Sequence, residues 1–198
     1  VNAIKGSAIG GRLYFLSPDG IAVGASGVIN AGQFTGIVPT QTAFNKLYDA
    51  ENITLDAVTA LQTGSYANDK SIEINGQINT HSGIMLGAGV ININDGAKLQ
   101  SVKNIDFTDL VNTGSANAGL GSLTASAGSG GDIVLTAKQE STVNDNDAIR
   151  WSDRSTDLAA AVNIGKDATE KGVAITSSDG AVKVTATSTS NYTDSPPM

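Results

Sequence analysis

The sequence predicts an all-β solenoid, a β-helix, interrupted by a short helical insertion. Three observations carry that expectation. Gly, Ser, Thr, Asn and Asp make up 92 of the 198 residues. The apolar residues are mainly Ile, Val, Leu and Ala, gathered in short bursts that alternate with polar residues. Those bursts return at intervals near 20 residues, the spacing of stacked repeat architectures. Short β-branched runs between small polar turns read as strands. An apolar fraction of 40% is enough to pack a core at this length, so the polar composition does not signal disorder.

Along the chain the bursts follow glycine-containing turns: Ile21 and Val23 after Gly20, Ile84 and Leu86 after Gly83, Ile133 and Leu135 after Gly131-Asp132, Val173 and Ile175 after Gly172. The stretches beginning at Gly20, Gly83 and Gly172 read as one repeated pattern. Ile72 to Ile91 spans 19 residues and Val162 to Val182 spans 20, each with an intermediate burst. A strand of three to five residues buries too little by itself and must stack on its equivalent in the next turn. By the two-residue period of a strand, Ile72, Ile74, Ile78, Ile84, Leu86, Ile91 and Ile93 point inward, and the Asn, Ser, Thr and Lys between them face solvent. Gly and Asp at the corners supply tight-turn backbone. The competing arrangement is an antiparallel β-sandwich, which also has short strands and frequent turns.

Two stretches break the pattern. From Pro39 to Gly64, Phe44, Leu47 and Tyr48 stand at helical spacing behind Thr40, a capping residue type, and Val58 and Leu61 mark a weaker second apolar face. This predicts one or two short helices packed on the solenoid, with the chain returning near Ser71. Between Asn144 and Leu158, Asp145, Asp147, Asp153 and Asp157 crowd around Arg150, Trp151 and Arg154, which reads as a protruding loop. The organisation is then solenoid turns over 1–38, the helical insertion over 39–70, and further turns over 71–198 with the loop at about 144–158.

Composition removes several function classes. There is no Cys and one His, so disulfides, thiolate zinc sites, cysteine nucleophiles and multi-histidine metal centres are excluded, and no cofactor is expected. With 12 basic and 19 acidic residues the formal charge is −7, which repels nucleic-acid backbones and anionic lipid. No apolar run approaches the roughly 20 residues of a membrane helix, so neither nucleic acid nor membrane insertion is expected. No charged-then-apolar signal opens the chain, and Val1 is expected to lie inside a longer domain.

The remaining chemistry-bearing residues are few. The four loop aspartates offer oxygen ligands of the kind calcium takes, but without the Gly and closing Glu of an EF-hand they read as a solvated turn. Trp151, the only Trp, between Arg150 and Arg154 is a candidate stacking platform for a sugar or a protein, or else covers the end of a small hydrophobic cluster under the loop. Asp106 and Asp109 are a candidate carboxylate pair for glycoside chemistry, but three-residue spacing without a defined groove is a weak signal and a strand-end turn is the favoured reading. His81 has no triad partner at a specific spacing and reads as a turn residue. Asn52-Ile-Thr and Asn191-Tyr-Thr fit the glycosylation pattern but are assigned no function in so Asn- and Thr-rich a chain.

The stretch Asn2 to Gly32, centred on Ser17-Pro18-Asp19-Gly20-Ile21, resembles the secretion domain of filamentous-haemagglutinin-like adhesins, the exoproteins of bacterial two-partner secretion. The family has a similar Asn-Pro-Asn-Gly-Ile turn followed by a Gly-rich strand pair ending in Asn-x-Gly, matched here by Asn30-Ala31-Gly32. Val38-Pro39-Thr40 followed by Phe44 is similar to the stretch after it. Ser17 and Asp19 replace the family's two Asn residues, and its earlier Asn-Pro-Asn-Leu turn has no counterpart in this chain. The resemblance implies a right-handed parallel β-helix, adhesion without catalysis, and export across the outer membrane through a dedicated barrel transporter. It also implies a secreted or cell-surface location and a host-cell or glycan receptor. The expected role of the Ser17–Ile21 turn is structural, and absent Cys suits a chain threaded unfolded through a narrow barrel. Two other functions stay open: a β-helical enzyme degrading extracellular polysaccharide, and a structural unit that self-associates head to tail through open solenoid ends.

Overall fold

The computed structural model describes residues 1–5, 8–50, 53–103, 124–125, 130–144, 158–165 and 171–193. Short alternating runs fold as the two-residue period requires. After a small antiparallel pair, β1 (Ile4–Lys5) and β2 (Ala8–Ile9), come β3 (Arg12–Leu16), β4 (Ile21–Val23), β5 (Val28–Ala31) and β6 (Gln33–Ile37). Two helices follow, α1 (Gln41–Tyr48) and α2 (Leu55–Leu61). The chain then returns to strands: β7 (Ser71–Ile74), β8 (Gln77–Thr80), β9 (Ile84–Ala88), β10 (Val90–Ile93) and β11 (Lys98–Ser101). A two-residue β12 (Thr124–Ala125) pairs with β2, and β13 (Ile133–Asn144), β14 (Ala161–Ile164), β15 (Ala174–Ser177) and β16 (Val182–Thr193) complete the described elements.

The strands build three parallel sheets. Sheet 1 has the order β16-β13-β9-β6-β3, sheet 2 the order β14-β10-β7-β4, and sheet 3 the order β15-β11-β8-β5. In sequence the chain visits sheets 1, 2 and 3 in the same cyclic order four times, and β16 begins a fifth pass. The pairing is parallel throughout these sheets, so the antiparallel sandwich is not adopted.

Register carries the core. Ile21, Ile72, Ile91 and Val162 align across sheet 2, and Ile29, Ile78, Leu99 and Ile175 across sheet 3. Leu13, Phe34, Ile84, Ile133 and Val182 align across sheet 1. All seven residues expected to point inward, from Ile72 to Ile93, are no more than 1% exposed. Burying each such side chain stabilises the fold by roughly 1.5–3 kcal/mol, which a strand of four residues obtains by stacking on its equivalents in other passes.

Three expectations are corrected. Val162 and Val182 are not equivalent: Val162 is in register with Ile91, and Val182 with Ile133. The turns at Gly20, Gly83 and Gly172 likewise lead into different sheets, so the three similar stretches sit at three different corners. Gly20, Gly83 and Gly172 share a positive φ, so their turns look alike in sequence, and strand pairing tells the three corners apart. Polar residues between inward positions are also not uniformly solvated. Asn79 and Thr80 are fully buried, Asn79 donating to Asn30 Oδ1 at 2.9 Å and Thr80 donating to the Gln100 carbonyl at 3.1 Å. On sheet 2 the half-buried Glu73 accepts from Asn92 at 2.6 Å, and Asn92 accepts from Asn163 at 2.7 Å, one residue per pass.

Thr40 caps α1, its hydroxyl accepting from the Ala43 amide at 3.3 Å, and Thr54 caps α2 in the same way at 3.2 Å. Leu47 and Val58 are the buried apolar residues of the helices. Tyr48 departs from the expectation: it stacks on Phe44, with ring centroids 6.4 Å apart, and is 76% exposed. No helix among the described residues is long and apolar enough to cross a membrane.

Candidate functional site

The turn between β3 and β4 holds the residues on which the resemblance centres. Pro18 fixes the second position, and the Gly20 amide closes on the Ser17 carbonyl at 3.5 Å. Gly20 has φ +110°, and a Cβ there would stand 3.0 Å from the Ser71 carbonyl oxygen of the next pass. Both the backbone angle and the close approach therefore require glycine. Ser17 is tied across the sheet through its amide to the Ile37 carbonyl at 3.2 Å, Asp19 is exposed, and Ile21 is buried in register with Ile72. The turn is thus a corner that delivers Ile21 into the core.

The other residues carrying the resemblance have structural work as well. Asn30 is buried between Asn2 and Asn79, donating to Asn2 Oδ1 at 2.8 Å and accepting from Asn79. Val38 is fully buried, Pro39 bridges to Tyr66, and Thr40 caps α1. Sequence reasoning pointed to these positions as motif matches; the structure supplies the reason for each.

The insertion between β6 and β7 is held at its return. Tyr66 is buried, its ring over Gly87 of β9 and its hydroxyl donating to the Gln62 carbonyl at 2.6 Å, and burial pushes its pKa up to about 12. Ser65 donates to Glu140 Oε2 at 2.9 Å. Asn68 binds the Glu140 backbone twice, donating to the carbonyl at 2.6 Å and accepting from the amide at 3.0 Å. Lys138 pairs with Glu140 at 2.8 Å. The hydrogen bond from Lys138, and then that from Ser65, hold the Glu140 carboxyl below its ordinary range. A base pinned this firmly leaves the outer part of the insertion to present Tyr48, Ile53 and Leu55, all more than half exposed. This apolar group was not foreseen, because helical spacing identifies an apolar face without saying whether anything covers it.

Several candidates fall outside the described residues: Arg150, Trp151 and Arg154, the pair Asp106 and Asp109, the aspartates 145, 147, 153 and 157, and Asn52. Among the described residues no group of three or more His, Asp or Glu is placed to hold a metal ion. His81 lies in a bend as expected, but is buried, with Nδ1 2.7 Å from Ser82 Oγ. An apolar mouth of about 230 Å³ opens at the first pass, lined by Val1, Phe15, Ile21, Val23, Ile29 and Phe34 among others. Comparison with protein-family models, with curated proteins and with solved structures finds no match to the chain.

Proposed function

We propose that this chain is a right-handed parallel β-helical segment of a large secreted bacterial adhesin of the two-partner secretion type. In this reading each cyclic visit to the three sheets is one turn of the β-helix. The chain performs attachment and no catalysis. It reaches the cell surface through an outer-membrane transporter, and its receptor is a host-cell or glycan structure.

The observation that carries the reading is the unbroken inward ladder across three parallel sheets, with a 19-residue step from Ile72 to Ile91 and an added step at the Ser17–Ile21 corner. A chain that closes its core locally, one pass at a time, can fold from the end that emerges first, which suits export of an unfolded polypeptide. Tyr48, Ile53 and Leu55 on the insertion, and the loop at about 144–158 with Arg150, Trp151 and Arg154, are the proposed contact surfaces. The experiment is surface display of the parent exoprotein carrying Ile84→Asp and Ile91→Asp. The reading expects display to be lost, and undiminished display would contradict it.

The filament reading is tested at the last described strands. Ile164, Val182 and Val184 are inward positions of the last strands, yet each is about half exposed, and β16 presents an edge of 12 residues. Sedimentation of the isolated chain across a concentration series separates the readings, since head-to-tail association yields open oligomers that grow with concentration. The enzyme reading predicts new reducing ends from a glycan panel, lost on Asp106→Asn.

A further inference from the structure

Three successive corners stack where the chain enters sheet 1. They are formed by Gly10-Gly11 in the first pass, Gly32-Gln33 in the second and His81-Ser82 in the third. The Gly32 and Gln33 amides donate to the Gly11 carbonyl at 2.9 and 3.4 Å, and the His81 and Ser82 amides donate to the Gly32 carbonyl at 3.3 and 2.8 Å. The first two corners approach so closely that a Cβ on Gly32 would lie 2.4 Å from the Gly10 carbonyl oxygen. Side chains are therefore missing where neighbouring corners would carry them, and a polar cleft of about 410 Å³ remains, lined by Gly10, Arg12, Gly32, Gln33, His81 and Ser82.

The chemistry of this lining is one-sided. Among the described residues the lining contains no carboxylate, in a chain of net charge −7, and Arg12 makes no ion pair. Arg12 is exposed and pairs in register with Gln33, and both line the cleft. His81 is fixed behind them by Ser82 Oγ and by backbone hydrogen bonds that include Ile9. Burial lowers its pKa against the opposing pull of those backbone bonds, so at neutral pH Arg12 supplies the charge of the described lining.

We infer that this cleft binds a small monoanionic carboxylate, held by the Arg12 guanidinium, with Gln33 and Ser82 bonding its polar substituents. A guanidinium presents a planar pair of donors that matches a carboxylate, and one positive charge balances one negative charge. The inference goes beyond the adhesin reading and does not depend on it, because it concerns the purified chain in solution.

His81 is the sole histidine, so its imidazole resonance is an unambiguous reporter inside the cleft. The test is an NMR titration of the whole chain at pH 7 with sodium glucuronate, sodium N-acetylglycinate, glucose, and sodium chloride at matched ionic strength. A saturable His81 shift is expected with at least one carboxylate and with neither control. Glucuronate alone would assign an acidic sugar, and N-acetylglycinate alone a peptide-chain terminus. Arg12→Ala, at an exposed position, should weaken binding about tenfold or more, Arg12→Lys by less, and Gln33→Ala by about threefold. The unliganded His81 resonance shows whether each variant keeps the native corner. The inference is overturned if no carboxylate moves His81 beyond the salt control, if glucose moves it as far, or if natively folded Arg12→Ala binds like the parent chain.

Discussion

Ile93 and Ile164 are the same residue type in the same inward column of sheet 2, adjacent in the stack, yet Ile93 is fully buried and Ile164 is 46% exposed. Sheet 1 repeats the contrast: Ile133 and Leu135 are fully buried, while Val182 and Val184, their register partners, are 45% and 48% exposed. The difference between the middle passes and the last one lies in what sits on the far side. An inward position is completed by what covers it as well as by residue identity: Ile21 and Val23, at the opposite edge of sheet 2, are only 7% and 6% exposed, whereas Ile164 lacks such cover.

The largest expected effect follows from this contrast. Ile93→Ala should lower the unfolding free energy by about 2–5 kcal/mol, the usual cost of removing a buried Ile side chain. Ile164→Ala should cost about 1 kcal/mol or less, because a half-exposed site leaves no closed cavity. Chemical denaturation of both variants checks the pair, and equal losses would break the comparison. Next in size is Gly20→Ala, where the φ of +110° and the Ser71 carbonyl together should cost about 1–3 kcal/mol. Gly24→Ala is its control: nothing lies within 4 Å of a Cβ at Gly24, and its stability should be nearly unchanged in the same assay.

Thr40→Ala removes the N-cap of α1 and should cost about 1 kcal/mol, read as faster proteolytic nicking within 41–61 while the strands persist. The smallest effect concerns acid. Glu140 is held below its ordinary pKa of 4.5, so its contribution to anchoring the insertion is complete above that value and is lost as pH falls through the lowered folded value. Exchange of the Asn68 and Glu140 amides should therefore quicken in that acid window. In Glu140→Gln the step should disappear.

The middle of the fold was legible because Ile72 to Ile93 combines two-residue alternation with a 19-residue step and no insertion. The last pass was not, because Asn92 and Asn163, its hydrogen-bonded equivalent, lie 71 residues apart. Long connections within a pass cost little in a stack but hide its period. Thr40, Leu47, Val58 and the return at Ser71 were readable from spacing and caps, whereas the exposed side of Tyr48 depended on packing that no local pattern encodes. The buried state of Asn79 and His81 was hidden for a related reason. Each bonds to a residue of another segment, Asn79 through its Nδ2 to Asn30 and His81 to the Ile9 backbone, so its environment is a property of the stack. The arginine-edged cleft emerged the same way, from glycines that read individually as turn residues and together leave a hollow.

Stacked neighbours confer the stability of each pass, and native-state amide hydrogen exchange reads this strand by strand. Amides of β7 to β10, enclosed between other passes, should exchange at the rate of global unfolding. Those of β14, β15 and β16 should exchange about tenfold faster or more, corresponding to at least about 1.4 kcal/mol less protection. Uniform protection from β4 through β16 would contradict the account.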